Sequence, residues 1–182
     1  MKVKNANVSS KKTKQLIKDN FIELLFEKKD IKKVKVTELV KRANIDRTTF
    51  YSHYDNIYSL AQEFEYEFID LIDLEMKNIN DYEDLFLFFD KMKDIVKNNE
   101  DKYRMVGVSD FYFHFYNSAN YKIKELVYKV VSNQNPNTDK DELKFRVNVL
   151  VDGVFAQVIK YLTDKNYKYD LDFIVENIKK II

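Results

Sequence analysis

The chain has 182 residues, 45% of them hydrophobic, and its 31 Lys and Arg against 30 Asp and Glu leave a net charge of +1. That length fits one domain, or a small domain joined to a larger one. The lack of Cys excludes a disulfide framework and any thiolate metal site, while only two Gly and one Pro argue for long uninterrupted helices over sheets.

There is no early apolar run of the signal-peptide kind and no stretch of about 18 apolar residues. A soluble cytoplasmic protein with no membrane partner is therefore expected. The small net charge hides a split. Residues 1–60 carry 14 Lys and Arg against 7 Asp and Glu, or +7, and residues 61–182 carry 17 against 23, or −6. A basic small part joined to an acidic large part suggests that the first meets a polyanion.

In chain order, "MKVKNANV" has no period and reads as a flexible basic tail over residues 1–8. A helix is predicted from Ser9, capped by Ser9 or Ser10, with Ile17, Phe21, Leu24 and Leu25 on one face. Residues 30–35 break it. A short second helix turns Val36, Leu39, Val40 and Ala43 inward, "ANID" makes a turn, and Asp46 caps a third helix. That helix buries Phe50 and Tyr54 and leaves Arg47, Thr48 and Tyr51 outside. From Asn56 a stripe of Ile57, Leu60, Ala61, Phe64, Phe68, Leu71 and Ile72 predicts one long helix reaching Ile79. A further helix follows "NDYED", with Tyr82, Leu85, Phe86, Phe89 and Met92 on its face. Residues 100–116 are dense in aromatics, 119–132 read as helix, "SNQNPNTD" is a loop, and helices are expected over 139–164 and 169–181.

A helix-turn-helix needs two short helices crossing steeply, apolar inside, with the second presenting hydrogen-bonding groups at its N-terminal end. "IDRTTFY" meets this demand. Arg47 has the fork that guanine accepts, Thr48 and Thr49 suit a base edge or a thymine methyl, and Tyr51 suits a phosphate. The stretches "ELLFEKKD", "VTELVKRANI" and "DRTTFYSHYDNIYSL" together resemble the DNA-binding domain of the TetR family of transcriptional regulators. The likeness covers about residues 10–62, and "TTFYSHY" carries most of it. It implies base contacts from Arg47, Thr48 and Thr49 and backbone contacts from Thr37, Tyr51 and His53. The chain departs from the family pattern at four places. Asp30 replaces a Gly after the first helix, and Asn44 replaces the Gly of the turn. Lys35 stands where a capping Thr contacts phosphate, so the phosphate contact is kept and the cap is lost. Ile57 replaces a backbone-gripping Lys.

The resemblance implies an all-α fold of about nine helices. A helix-turn-helix head over residues 9–60 would precede a larger helical ligand-binding and dimerisation body over 61–182. The residues of the second part agree with that. A wide stripe over Val147, Leu150, Val151, Val154, Phe155, Val158, Ile159 and Leu162, with Gly153 inside it, is too broad for one helix to hide alone. With Ile174 and Ile178 of the last helix it reads as the seam of a homodimeric four-helix bundle. The interface residues expected are Val147, Val151, Val154, Phe155, Val158, Leu162, Ile174 and Ile178. The aromatics Phe64, Phe68, Phe86, Phe89, Phe111 and Phe115, with His114 as a polar handle, are either ordinary core or the lining of a pocket for a small hydrophobic or aromatic ligand.

The sequence has no Gly-rich phosphate loop and no His pair at ligand spacing, so neither catalysis, a metal nor a cofactor is expected. The function expected is a DNA-binding regulator, a repressor released by a ligand. The alternative is a dimeric helical adaptor, or a DNA-binding regulator controlled by a partner protein.

Overall fold

The structure is a computed structural model that describes residues 2–182, with side chains from Ser10 onward. Nine α-helices and one short 3-10 turn, with no strand, make up the described residues. They are α1 (Lys2–Lys28), the 3-10 turn Ile31–Lys33, α2 (Val36–Arg42), α3 (Arg47–Tyr51) and α4 (Ile57–Glu75). The body adds α5 (Tyr82–Asn98), α6 (Glu100–Gly107), α7 (Tyr112–Gln134), α8 (Lys140–Thr163) and α9 (Leu171–Ile181).

Short polar side chains set most of the boundaries. Asp46, Asp81, Asp139 and Asp170 each accept hydrogen bonds from backbone N–H groups of the first turn of α3, α5, α8 and α9. Asn56 and Ser59 form a reciprocal capping box at the start of α4. No Pro or Gly interrupts residues 2–8, and the backbone of α1 is helical from Lys2, seven residues before the expected start. Met1 of the expected tail lies outside the described residues. Helix α4 stops at Glu75, short of the predicted Ile79, because Asn78 takes the left-handed conformation (φ 67°) and Ile79 tucks in beyond the turn. Helix α7 starts at Tyr112, seven residues before the expected start at 119, so the aromatic run forms its first turns.

Three apolar clusters follow. The head cluster gathers Ile17, Phe21, Leu24 and Leu25 of α1, Leu39 and Val40 of α2, and Phe50 of α3 around the start of α4. It does not stop at residue 60: Ala61, Phe64, Val106, Phe111 and Phe115 belong to it, so the expected boundary falls inside α4 and inside one core. The body cluster centres on Ile72, Leu85, Phe88, Val127, Val147 and Val151. The third lies beneath α9, around Leu171, Ile174 and Ile178. Gly107 lets α6 run close against α8: a Cβ there would lie 3.1 Å from Ile159 Cδ1 and 3.3 Å from Thr163 Cγ2.

Polar ties fix head to body. Lys18 of α1 is 5% exposed, and its ammonium bonds Glu63 (2.8 Å) and Glu67 of α4, while Lys14 holds Glu63 from the other side (3.0 Å). At the joint after α1, Asp110 accepts from the Ile31 N–H (3.0 Å) and donates its own N–H to the Lys29 carbonyl (3.3 Å).

Candidate nucleic-acid interface and internal cavity

The candidate surface centres on α3, which is built from its cap outward. The Asp46 carboxylate accepts from the Thr49 N–H at 2.6 Å, and the amide and hydroxyl of Thr49 together hold that carboxyl below the usual aspartate range. The turn before it is set by Asn44 at φ 50°, a conformation Asn adopts more readily than most residues, and closed by the Ile45 N–H to the Val40 carbonyl at 3.0 Å. Phe50 is wholly buried and Tyr54 nearly so, with ring centroids 5.8 Å apart, so the inner face of α3 is locked to the head core.

The outer face carries Arg47 and Thr48, both exposed, and Tyr51, which is 54% exposed and rests edge-on against Phe50 at 5.4 Å. Lys35 and Thr37 lie exposed at the start of α2, and Lys35 provides no side-chain cap there. Neither Lys35 nor Arg47 forms an ion pair among the described residues, so both cations are available to a polyanion. Thr49 differs from its neighbours: it is half-buried and turned toward Asp46, which occupies the hydrogen-bonding capacity a base edge would need. His53 is half-buried beside the Tyr54 ring at 6.3 Å.

Two features escaped sequence reasoning. Arg42 forks onto Glu27 at 2.8 and 3.0 Å, bracing α2 against α1, and Lys28 pairs with Glu38 at 2.9 Å. These cations of the basic half are spent on structure, and their partners lie 10 to 15 positions away, beyond any local pattern. The left-handed residue after α1 is Lys29 (φ 55°), not Asp30, whose carboxylate instead caps the 3-10 turn through the Lys32 N–H at 2.9 Å. Ile57, at the place of the missing phosphate-gripping Lys, is 6% exposed and belongs to the head core.

The residues expected to line a ligand pocket separate into three groups. Phe64, Phe111 and Phe115 are close-packed at the head–body junction, with ring centroids 5.5 to 6.5 Å apart. Phe86 is half-buried and stacks on Tyr82 at 6.3 Å, and His114 is exposed. Of the expected residues, only Phe68 and Phe89 reach a partly open apolar cavity of about 140 Å³ between α4, α5, α7, α8 and α9. Met92, which the pattern from Tyr82 picked out, also lines it, whereas Phe88 of α5 and Ala119 and Ile123 of α7 were not picked out. The aromatic run has three surroundings: Phe111 and Phe115 face the head, Tyr116 faces α8, donating to Asp152 at 3.1 Å and meeting Phe155 edge-on at 5.4 Å, and Phe113 is 66% exposed.

The residues of the expected dimer seam divide in the same way. Val147, Val151, Leu162, Ile174 and Ile178 are each at most 8% exposed within the single chain, although Val147, Ile174 and Ile178 also line a groove between α8 and α9. Val154, Phe155 and Val158 are half-buried. The apolar surface left over lies beside them: Phe145 (69% exposed), Val149, Phe173 and Ile181 (70%) flank an open groove of about 840 Å³ between α8 and α9. Gly153 lines that groove with nothing of its own chain within 4 Å of a Cβ placed there.

The architecture has solved counterparts. Over 93% of this chain and 93% of the other, it superposes at a TM-score of 0.63 and 16% identity on the fatty acid degradation regulator FadR from Bacillus halodurans. A transcriptional regulator of the TetR/AcrR family from Aquifex aeolicus VF5 matches over 92% of this chain and 96% of its own, with a TM-score of 0.57 and 20% identity. No family model matches the sequence, and no curated protein matches it. The fold is thus that of the TetR/AcrR-type transcriptional regulators: a helix-turn-helix head on an all-helical body. Among the described residues, no helix is long and apolar enough to cross a membrane.

Proposed function

We propose that the protein is a sequence-specific DNA-binding transcriptional regulator. It acts as a homodimeric repressor on a near-palindromic operator and is released by a ligand held in the helical body. The observation that carries this reading is α3, anchored from inside by Phe50 and Tyr54 while Arg47, Thr48 and Tyr51 stand free on its outer face. Exposed side chains at the start of the second helix of such a pair, here Arg47 and Thr48, suit a major groove, and Tyr51 at its end suits a phosphate. Lys35 and Thr37 supply backbone contacts beside it. Thr49 supports the cap more than the readout, and His53 sits at the edge of the surface.

A single head offers few base contacts, and two heads about 34–36 Å apart read both halves of a palindrome. The groove between α8 and α9 is the face we assign to the second copy. Its exposed Phe145, Val149, Phe173 and Ile181 make an apolar surface that a partner's equivalent pair of helices would cover. The ties from Lys14 and Lys18 to α4 carry a movement of the body into the head, and a ligand acts to the extent that its affinity differs between the two head spacings.

The test is fluorescence anisotropy with duplexes selected from a random library. Affinity falls steeply with salt because phosphate contacts release counterions. Arg47→Ala costs about 1–3 kcal/mol and relaxes the selected sequence. A protein that dimerises yet selects no duplex at low salt is the partner-binding adaptor instead.

A further inference from the structure

The apolar cavity has a composition unlike that of a site for a charged effector. Its wall is built from Phe68, Phe88, Phe89, Met92, Ile123 and Val127, with aliphatic residues of α8 and α9 closing it, and Lys93 is the one cationic side chain that borders it. Lys93 is already committed: its ammonium pairs with Asp90 at 3.4 Å and Asp172 at 3.2 Å. Those carboxylates are held in turn by Lys179 (2.8 Å from Asp90) and by Lys97. Among the described residues, the only buried side-chain polar atom without a partner is Tyr54 Oη, in the head. The cavity therefore holds no donor, acceptor or charge waiting for a ligand. A charged group moved into it would lose its hydration with nothing in exchange.

Size sets the second limit. At about 140 Å³ the space matches in volume apolar cavities of about 150 Å³ that accept benzene-sized molecules, and it is partly open to solvent. From size and lining together, and resting on the reading of the body as an effector domain, we propose that this cavity binds a compact uncharged apolar molecule of substituted-benzene size. Carboxylates, phosphates and amines are disfavoured, because nothing in the lining replaces their hydration. The cavity shares Leu150, Val154, Ile174 and Ile178 with the groove between α8 and α9, so an occupant presses on the wall assigned to the second copy.

The experiment compares toluene, benzoate and benzylamine, each titrated into the full chain in sealed cells. Thermal unfolding and ligand-observed NMR report binding, and crystals pressurised with xenon locate the site. Toluene is expected to raise the unfolding temperature and xenon to sit between α5, α7 and α8, with benzoate and benzylamine binding at least about tenfold more weakly. Ile123→Phe and Val158→Phe, which fill the space from two different helices, each abolish the toluene response if folded. Equal or tighter binding of benzoate or benzylamine overturns the proposal, as does an unshifted unfolding temperature with no xenon density. Duplex affinity measured in parallel separates the two readings. Toluene bound without effect on DNA affinity upholds the site and removes its regulatory role, while DNA binding with no toluene response removes the site alone.

Discussion

Replacing Lys18 by Met tests whether the tie between α1 and α4 holds the head in place. Methionine keeps the length and apolar stem of the side chain, so the core around Ile17 and Phe21 stays filled and only the ammonium is lost. Two charge-assisted hydrogen bonds go with it, to Glu63 at 2.8 Å and to Glu67. Buried bonds of that kind are worth about 1.5–3 kcal/mol each, but both carboxylates keep part of their hydration, with side chains 31% and 53% exposed. Lys14 also retains its hold on Glu63. What remains is the loss of one partly screened pair, plus repulsion between two carboxylates one helical turn apart, worth about 0.2–0.5 kcal/mol. The expected cost is about 1–2 kcal/mol, read as a lower urea midpoint at unchanged m.

The pH dependence gives a second readout of the same tie. Burial pushes the Lys18 ammonium down, but its bonds to Glu63 and Glu67 outweigh that and leave it raised; burial likewise pushes Glu63 up, and Lys18 and Lys14 outweigh it and leave it lowered. A raised lysine contributes stability that is complete below its ordinary value and lost as pH climbs through the raised one. A lowered glutamate contributes stability that is complete above its ordinary value and lost as pH falls through the lowered one. Wild type should therefore hold a plateau between the ordinary glutamate and lysine ranges, with losses at both ends, and Lys18→Met should flatten both. A midpoint equal to or above wild type would show that desolvation of the ammonium cancels its bonds, and the tie would then be no clamp.

Other consequences are as direct. Asp46→Ala removes the only side-chain cap of a five-residue helix, so duplex affinity should fall by a larger factor than a control such as Glu83→Ala changes it, while the body's helical circular dichroism persists. Phe50→Ala, at a fully buried site, should cost about 3–5 kcal/mol and abolish DNA binding through loss of the head; native binding by this variant would refute the assigned core. Gly153→Ala meets no atom of its own chain, so the isolated subunit should gain up to about 1 kcal/mol of helix propensity. If a second copy packs there, sedimentation should show weaker association of Gly153→Ala and still weaker association of Gly153→Leu. Unchanged association of the leucine variant would place the dimer seam elsewhere.

Local chemistry was legible in the sequence wherever one residue sufficed to decide it. The scarcity of Gly and Pro pointed to an all-helical chain, and Asp46, Asn56 and Asp81 marked helix starts because a short acceptor satisfies amides within its own turn. The burial of Phe50 in α3 and of Tyr54 beyond its end, against an exposed Arg47, Thr48 and Tyr51, follows from helical spacing. Periodicity shows that a residue is inward but not which neighbour fills the inside, and that choice belonged to the tertiary structure. It decided that Phe64, Phe111 and Phe115 bolt head to body while Phe68 and Phe89 border a void, and that Val147, Val151 and Ile178 serve their own chain and leave Phe145, Val149 and Ile181 uncovered. It also decided which cations are free, since Arg42 and Lys18 meet carboxylates 15 and 45 to 49 positions distant, pairings that only the packed helices bring within reach.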